Sequence, residues 1–248
     1  MPFTLDKGGL HAYDTRMEQE YPQQIQLTQE QYAALAKAYL NKVYMWMAGS
    51  MFVTAATAIY AMGSDKMLTW SMNNWLWLVV GTLGIILIMC FGRRALTAGA
   101  LSVLFITFSA LEGLLLGPVL SMYTTQSLGL TFASTAGMFG GMALFGATTK
   151  RNLSGLGRTL FMMLIGLILA GILNIFFGNS LSTLIISGVG VVVFALFTAY
   201  DTQKILSEGA WLTDADQRAK GAILGAVDLY LDFLNLFLYL LRFLGDRD

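Results

Sequence analysis

The sequence predicts an all-α polytopic membrane protein with seven transmembrane helices, the seventh acidic and central. Three observations predict it. Of 248 residues, 56% are hydrophobic and only 12% are charged, about half the charge of a soluble domain, and mean hydropathy is +0.63. Seven apolar runs approach the ~20 residues that cross a bilayer as helix. These runs are too long for barrel strands and lack the strict polar/apolar alternation of a membrane β-barrel. Composition also excludes other classes. With 15 basic and 15 acidic residues, no net charge draws the chain to nucleic acid. One cysteine, Cys90, and one histidine, His11, exclude an intrachain disulfide framework, a cysteine-ligated zinc site and a histidine-based centre. Such apolar content is incompatible with intrinsic disorder or a collagenous chain.

Residues 1–38 are the long polar stretch, with Asp6, Lys7, Asp14, Arg16, Glu18, Glu20, Pro22 and a Gln-rich run from Gln23 to Gln31. No basic segment precedes an apolar core there, so the sequence predicts a polar cytoplasmic tail, partly disordered, and no cleavable signal. Helix is expected from Thr28, an N-cap that Gln31 would complete as a capping box. Residues 39–248 form the membrane domain. Its runs are Leu40–Met62, Asn74–Gly92, Thr97–Met122, Gly129–Thr148, Leu160–Gly178, Ser182–Asp201 and Ala222–Leu244. Connections are short apart from Thr202–Gly221. Gly113 and Gly117, and Gly137 with Gly140 and Gly141, predict close helix packing. Pro118 predicts a kink or a short unwound stretch. Trp70, Trp75, Trp77 and Tyr123 suit an interfacial belt, and Cys90 a small packing position.

The basic residues set an orientation. If each run spans, twelve of the 15 fall on one side: Lys7, Arg16, Lys37, Lys42, Arg93, Arg94, Lys150, Arg151, Arg158, Lys204, Arg218 and Lys220. Lys66, Arg242 and Arg247 fall on the other. The positive-inside rule then makes the N-terminus cytoplasmic. A fully spanning seventh run puts the C-terminus outside; a re-entrant one returns it to the cytoplasm.

Four carboxylates lie inside or at the edge of the runs: Glu112, Asp201, Asp228 and Asp232. A charge at the helix centre costs roughly 2.5–3.5 kcal/mol on insertion scales, so such groups are neutralised, paired or turned to a watery cavity. Asp228 and Asp232 are four apart and share a helix face, which Asn235 extends. The rest of that segment is Leu, Phe and Tyr, which places the helix at the bundle centre with its acidic stripe against its neighbours. Entering at Ala222, it carries Asp232 about 15 Å deep. Asp201 closes the sixth run at the face where the seventh begins, so it can approach Asp232 or Asp228. Two carboxyl groups at hydrogen-bond distance share a proton more readily than both ionise. Such a pair is a proton-sensitive latch or a satisfied polar contact between helices. Glu112 reads equally as a protonated packing acid or as part of the same cavity. Asp214 and Asp216 are expected to be solvated.

No enzymatic constellation is visible: no nucleophile elbow, no P-loop, no HExxH and no paired CxxC. Intramembrane aspartic proteolysis needs two aspartates, but the second site reads Gly225-Ala-Val-Asp228, without the Gly-x-Gly-Asp that such proteases carry. The sequence therefore predicts no enzyme and no required cofactor.

The segment Asp228-Leu-Tyr-Leu-Asp-Phe-Leu-Asn-Leu-Phe-Leu-Tyr-Leu-Leu-Arg-Phe-Leu-Gly245 resembles the signature of the Bax inhibitor-1 (transmembrane Bax inhibitor motif) family. Ala199-Tyr-Asp-Thr-Gln203 and Glu112-Gly-x-x-x-Gly-Pro118 support the likeness. Gly137-Met-Phe-Gly140 and Thr149-Lys-Arg-Asn-Leu-Ser-Gly155 are similar to its bacterial inner-membrane branch. The likeness covers about residues 30–248. It implies six helices around a central seventh, and a pH-sensitive calcium leak governed by an aspartate pair between helices six and seven. On this sequence the pair matches Asp201 and Asp232, and the family's latch arginine falls at Arg93 or Arg94. Asp228 stands where relatives often have a non-acidic residue; as an extra acid it would alter the pair's proton affinity or add a cation ligand. The lysine-rich tail of animal endoplasmic-reticulum members is missing from Gly245-Asp-Arg-Asp248, which favours a bacterial plasma membrane.

The expected function is thus a passive, pH-gated leak for Ca²⁺ or other cations, with Asp201 and Asp232 supplying carboxylate oxygens that suit a hard cation. The lipid bilayer and the ion are the expected partners of a monomer. The alternative is a membrane-embedded interaction or regulatory protein, acting on other membrane proteins or stress responses, whose acids are structural.

Overall fold

The computed structural model describes residues 29–212 and 214–246; residues 1–28 of the expected tail, with Lys7, His11, Arg16 and the Thr28 cap, and Arg247 lie outside them, while residues 29–38 of that stretch are helical. Among the described residues the secondary structure is helical throughout. The helices are α1 (Gln29–Met62), α2 (Asp65–Asn73), α3 (Trp75–Gly92), α4 (Ala98–Leu120), α5 (Thr125–Thr148), α6 (Ser154–Phe177), α7 (Ser180–Trp211) and α8 (Ala215–Leu244). All but the short α2 are long and apolar enough to cross a membrane. Side-chain oxygens start many of them. Ser64, Thr97, Thr124 and Asp214 each accept from the backbone N–H three residues on, and Asn179 forms a capping box with Ser182. These bonds satisfy N–H groups that a helix start leaves without partners.

Two elements outrun their apolar runs. α7 continues ten residues past Asp201, and α8 begins seven residues before Ala222. The expected Thr202–Gly221 connection is therefore helical at both ends, with α7 ending at Trp211 and α8 starting at Ala215. The cause is amphipathic spacing. Asp201, Thr202, Ile205 and Gly209 are buried, while Ser207 and Glu208 face outward, so α7 keeps a packed stripe where its mean hydropathy falls. α8 is unbroken over 30 residues, about 45 Å of helix, long enough to cross a bilayer. Its end meets the α4–α5 turn: Asp246 N–H donates to Ser127 Oγ at 3.0 Å, and Thr124 N–H to Asp246 O at 3.3 Å. Tyr123, expected at an interface, is only 5% exposed there. Trp70, Trp75 and Trp77 are exposed. So is Cys90, which does not occupy the packing position expected of it.

α8 is the most enclosed span. Two-thirds of its apolar window (67%) is buried, against 11–33% in the other six. Its main neighbours are four spans, α7, α1, α5 and α4, rather than six; α3 packs on α4 and α6 on α7. Tyr230 anchors one side of it, edge-on to Phe105 and Phe108 at 5.6 and 5.7 Å. The Tyr230 hydroxyl lies 2.7 Å from Thr54 Oγ1, and Thr54 donates to the Ser109 carbonyl at 3.0 Å. One polar node therefore ties α8 to α1 and α4.

Small residues decide which helices touch. A Cβ at Gly113 would collide with Thr57 and the Thr54 carbonyl, and one at Gly117 with Ala61, so α1 and α4 meet nearly backbone to backbone. Gly137, Gly140 and Gly141 have open space around them; α5 turns that face away from its own bundle, against the sequence expectation. The helix runs through Pro118 and ends two residues later, so no unwound stretch forms, although the ring leaves the Leu114 carbonyl without its usual donor.

Two predictions follow for unfolding in mixed micelles. Gly113→Ala should cost about 1–3 kcal/mol through overpacking, whereas Gly137→Ala should be neutral or stabilising by up to about 1 kcal/mol. Equal effects at both sites would contradict the packing assignment. A double-mutant cycle between Tyr230→Phe and Thr54→Val should yield a coupling of about 0.6–1.7 kcal/mol, the size measured for hydrogen bonds between membrane helices. A coupling of zero would remove the node.

Candidate functional site

Hydropathy forces the acids of α7 and α8 inward, and glycines let the two helices close on them. A Cβ at Gly225 would stand 3.2 Å from Ile205, and one at Gly190 would meet the Tyr239 ring at 2.5 Å. Between these two close approaches lie Asp201 and Asp232, 7% and 4% exposed. Their carboxyl groups face each other within hydrogen-bonding reach. A bond between them requires a proton on one of the two, because an ionised carboxylate only accepts. No other group among the described residues donates to the buried Asp232 Oδ2, so without that proton the pair is left unsatisfied, a costly arrangement inside an apolar bundle.

The expected stripe divides. Asp232 is turned into the α7 interface, while the Asp228 side chain is 42% exposed and paired with Lys204, Nζ to Oδ2 3.1 Å. Lys204 Nζ also lies 3.8 Å from Asp201 Oδ1. Asn235 donates back to the Leu231 carbonyl at 2.8 Å and does not join the pair. Sequence reasoning counted Lys204 only as an orientation charge. Because the sixth run was ended at Asp201, the i, i+3 relation that sets Lys204 beside it went unseen. Gln203 was missed for the same reason: it accepts from Leu153 N–H at 2.7 Å and donates to Arg151 O at 2.9 Å, tying α7 to the α5–α6 turn.

A cavity of about 1080 Å³ opens at this end of the bundle, between α3, α7 and the start of α8. Arg93, Arg94, Lys204, Glu208, Lys220 and Asp228 carry its charge, over an apolar wall that includes Met89 and Leu224. Asp201 and Asp232 do not line it. Both expected latch residues, Arg93 and Arg94, are exposed and make no ion pair among the described residues. Neither latches the aspartates in this conformation. Glu112 is half-buried on α4 near Tyr230 and does not line the cavity; it belongs to neither the pair nor its approach. Asp214 caps α8 and Asp216 pairs with Lys220 at 2.8 Å, both exposed.

Among the described residues no three His, Cys, Asp or Glu side chains are grouped to hold a metal ion. Two or three carboxylates fall short of the six to eight oxygens of a resident Ca²⁺ site.

Comparison with known proteins fits this architecture. Residues 36–248 match the family described as Inhibitor of apoptosis-promoting Bax1. Inner membrane protein YbhL of Escherichia coli (strain K12) is 41% identical over 216 residues, 85% of this chain and 92% of that protein. An uncharacterized protein of Borreliella burgdorferi is 36% identical over 229 residues, covering 90% and 98%. One from Deinococcus radiodurans is 33% identical over 226 residues, covering 91% and 98%. With a match that spans the whole membrane domain, the chain belongs to the Bax inhibitor-1 family.

Proposed function

We propose that the protein is a passive, pH-sensitive leak pathway for Ca²⁺, with other cations as weaker substrates, gated where Asp201 meets Asp232. The observation that carries this reading is a buried carboxyl pair within hydrogen-bonding reach, one helical turn from an open cavity with charged groups on its wall. The shared proton holds α7 against α8. When it leaves, two carboxylates face each other at short range and repel. Lys204 offsets part of that repulsion and Asp228 adds to it. Parting of the helices then exposes carboxylate oxygens that favour a hard divalent cation. The protein works as a monomer, catalyses no covalent reaction and needs no resident cofactor. Arg93 and Arg94 stand across the cavity from Asp228 and come within reach of the acids only if the cavity narrows.

Ca²⁺ flux in proteoliposomes tests this. Flux should rise between pH 6 and pH 8. In Asp232→Asn it should be low and independent of pH, because the amide donates to Asp201 a hydrogen bond that no deprotonation removes. No flux at any pH, or an unchanged profile in Asp232→Asn, would sink the reading.

The basic face is taken as cytoplasmic under the positive-inside rule, in a bacterial plasma membrane, as the name of the Escherichia coli relative states for that protein. Alkaline phosphatase fused after Asp248 should then be active in the periplasm, and one fused into the α7–α8 turn inactive. The reverse pattern would invert the orientation.

One observation favours a second reading, a membrane-embedded interaction protein: the outward Gly137, Gly140 and Gly141 face of α5, which nothing in the chain covers. It would appear as a crosslinked partner retained in Asp201→Asn and Asp232→Asn.

A further inference from the structure

We infer that Lys204 is a tethered cation that occupies the carboxylate site and closes the way from the cavity to Asp201 and Asp232, so that a permeating cation must displace it. The inference rests on the leak reading above and names the residue that sets its cation preference. The ammonium is placed where a bound cation would be, 3.1 Å from Asp228 Oδ2 and 3.8 Å from Asp201 Oδ1. Lys204 and Asp228 line the large cavity, while the two buried aspartates behind them do not. Lys204 also lines a second cavity of about 470 Å³, formed with Lys150, Arg151, Tyr200 and Gln203. It therefore stands as the partition between two open spaces, its side chain 38% exposed.

A lysine suits this role: one point charge on a flexible four-carbon stem, able to leave without rebuilding a bidentate contact. It is the cation that the structure holds against two of these carboxylates, Asp201 and Asp228, whereas Arg93 and Arg94 make no ion pair among the described residues. A divalent ion that displaces it replaces one positive charge by two beside Asp201, Asp228 and Asp232, whereas a monovalent ion gains nothing in charge. The lysine thus disfavours monovalent entry more than divalent. A merely structural ion pair, partly exposed as this one is, contributes little to stability and would leave cation binding untouched.

The test compares the full chain with Lys204→Met, Lys204→Gln and Lys204→Arg, and with Lys42→Met as a control, an exposed lysine that lines neither cavity. The readouts are Ca²⁺ binding to purified protein by calorimetry and Ca²⁺ flux in proteoliposomes. Removing the charge should tighten Ca²⁺ binding by about tenfold, the effect of one screened charge contact. Flux should rise and discrimination against K⁺ should fall. Lys204→Arg should keep Ca²⁺ binding as weak as wild type or weaker and lower the flux, because a guanidinium leaves a carboxylate less readily, and Lys42→Met should be unchanged. If neither Lys204→Met nor Lys204→Gln binds Ca²⁺ more tightly than wild type, the inference is overturned. The two claims separate cleanly. Tighter binding in the variants with no flux in any protein keeps the lysine assignment and removes the leak. A pH-dependent wild-type leak unaltered by either variant keeps the leak and removes the lysine.

Discussion

Two carboxyl groups pressed together between α7 and α8 impose the constraint on which the rest of the bundle depends. Neither can face lipid as an ion without a large penalty, and each is buried with the other as its partner. That requirement draws the acidic helix inward. It explains why α8 is enclosed on most sides while the other spans present most of their surface outward. It also explains the glycines. At Gly190 and Gly225 a side chain would hold the helices apart, and the carboxyl groups would lose contact. Closure at both ends of the pair sets its geometry before any ion or proton is considered.

The bundle surrounds this proton-dependent contact with satisfied ones. Tyr230, two residues before Asp232, reaches the opposite side of α8, where its hydroxyl meets Thr54, which in turn donates to Ser109. α8 is thus held to α1 and α4 through satisfied hydrogen bonds, and to α7 through close packing around a contact that depends on one proton. A contact that depends on one proton is the kind of element that a local protonation change can bias. Lys204 joins both sides of that contact, through Asp201 on its own helix and Asp228 on the next.

Much of this was legible in the residues. Seven spans, the inward turn of Asp232 and the approach of Asp201 to it follow from hydropathy and from the shared face at which two consecutive helices join. The misses have physical causes. Lys204 and Gln203 were lost because mean hydropathy marks where lipid ends, not where helix ends; α7 continues because Ile205 and Gly209 still have a surface to pack on. The glycines of α5 show that spacing alone does not identify a packing face, since Gly137 and Gly141 keep the same interval as Gly113 and Gly117 yet face outward. Asp228 was read with the pair because it shares a face with Asp232. One turn further along, however, that face passes from the α7 interface to the open cavity, where a cation can reach it. Arg93 and Arg94 were carried over from the family pattern, and only the three-dimensional arrangement shows them apart from the aspartates.

The central claim is that a proton shared by Asp201 and Asp232 holds α7 to α8. The most direct measurement is the distance between spin labels at Ser207→Cys and Gln217→Cys, both exposed positions, in a Cys90→Ser background, as pH is raised from 6 to 8. The account predicts a single short distance at low pH that lengthens or broadens as the proton leaves. In Asp232→Asn the distribution should stay fixed at its low-pH form. Identical distributions across pH in the otherwise native chain, or the same shift in Asp232→Asn, would contradict it.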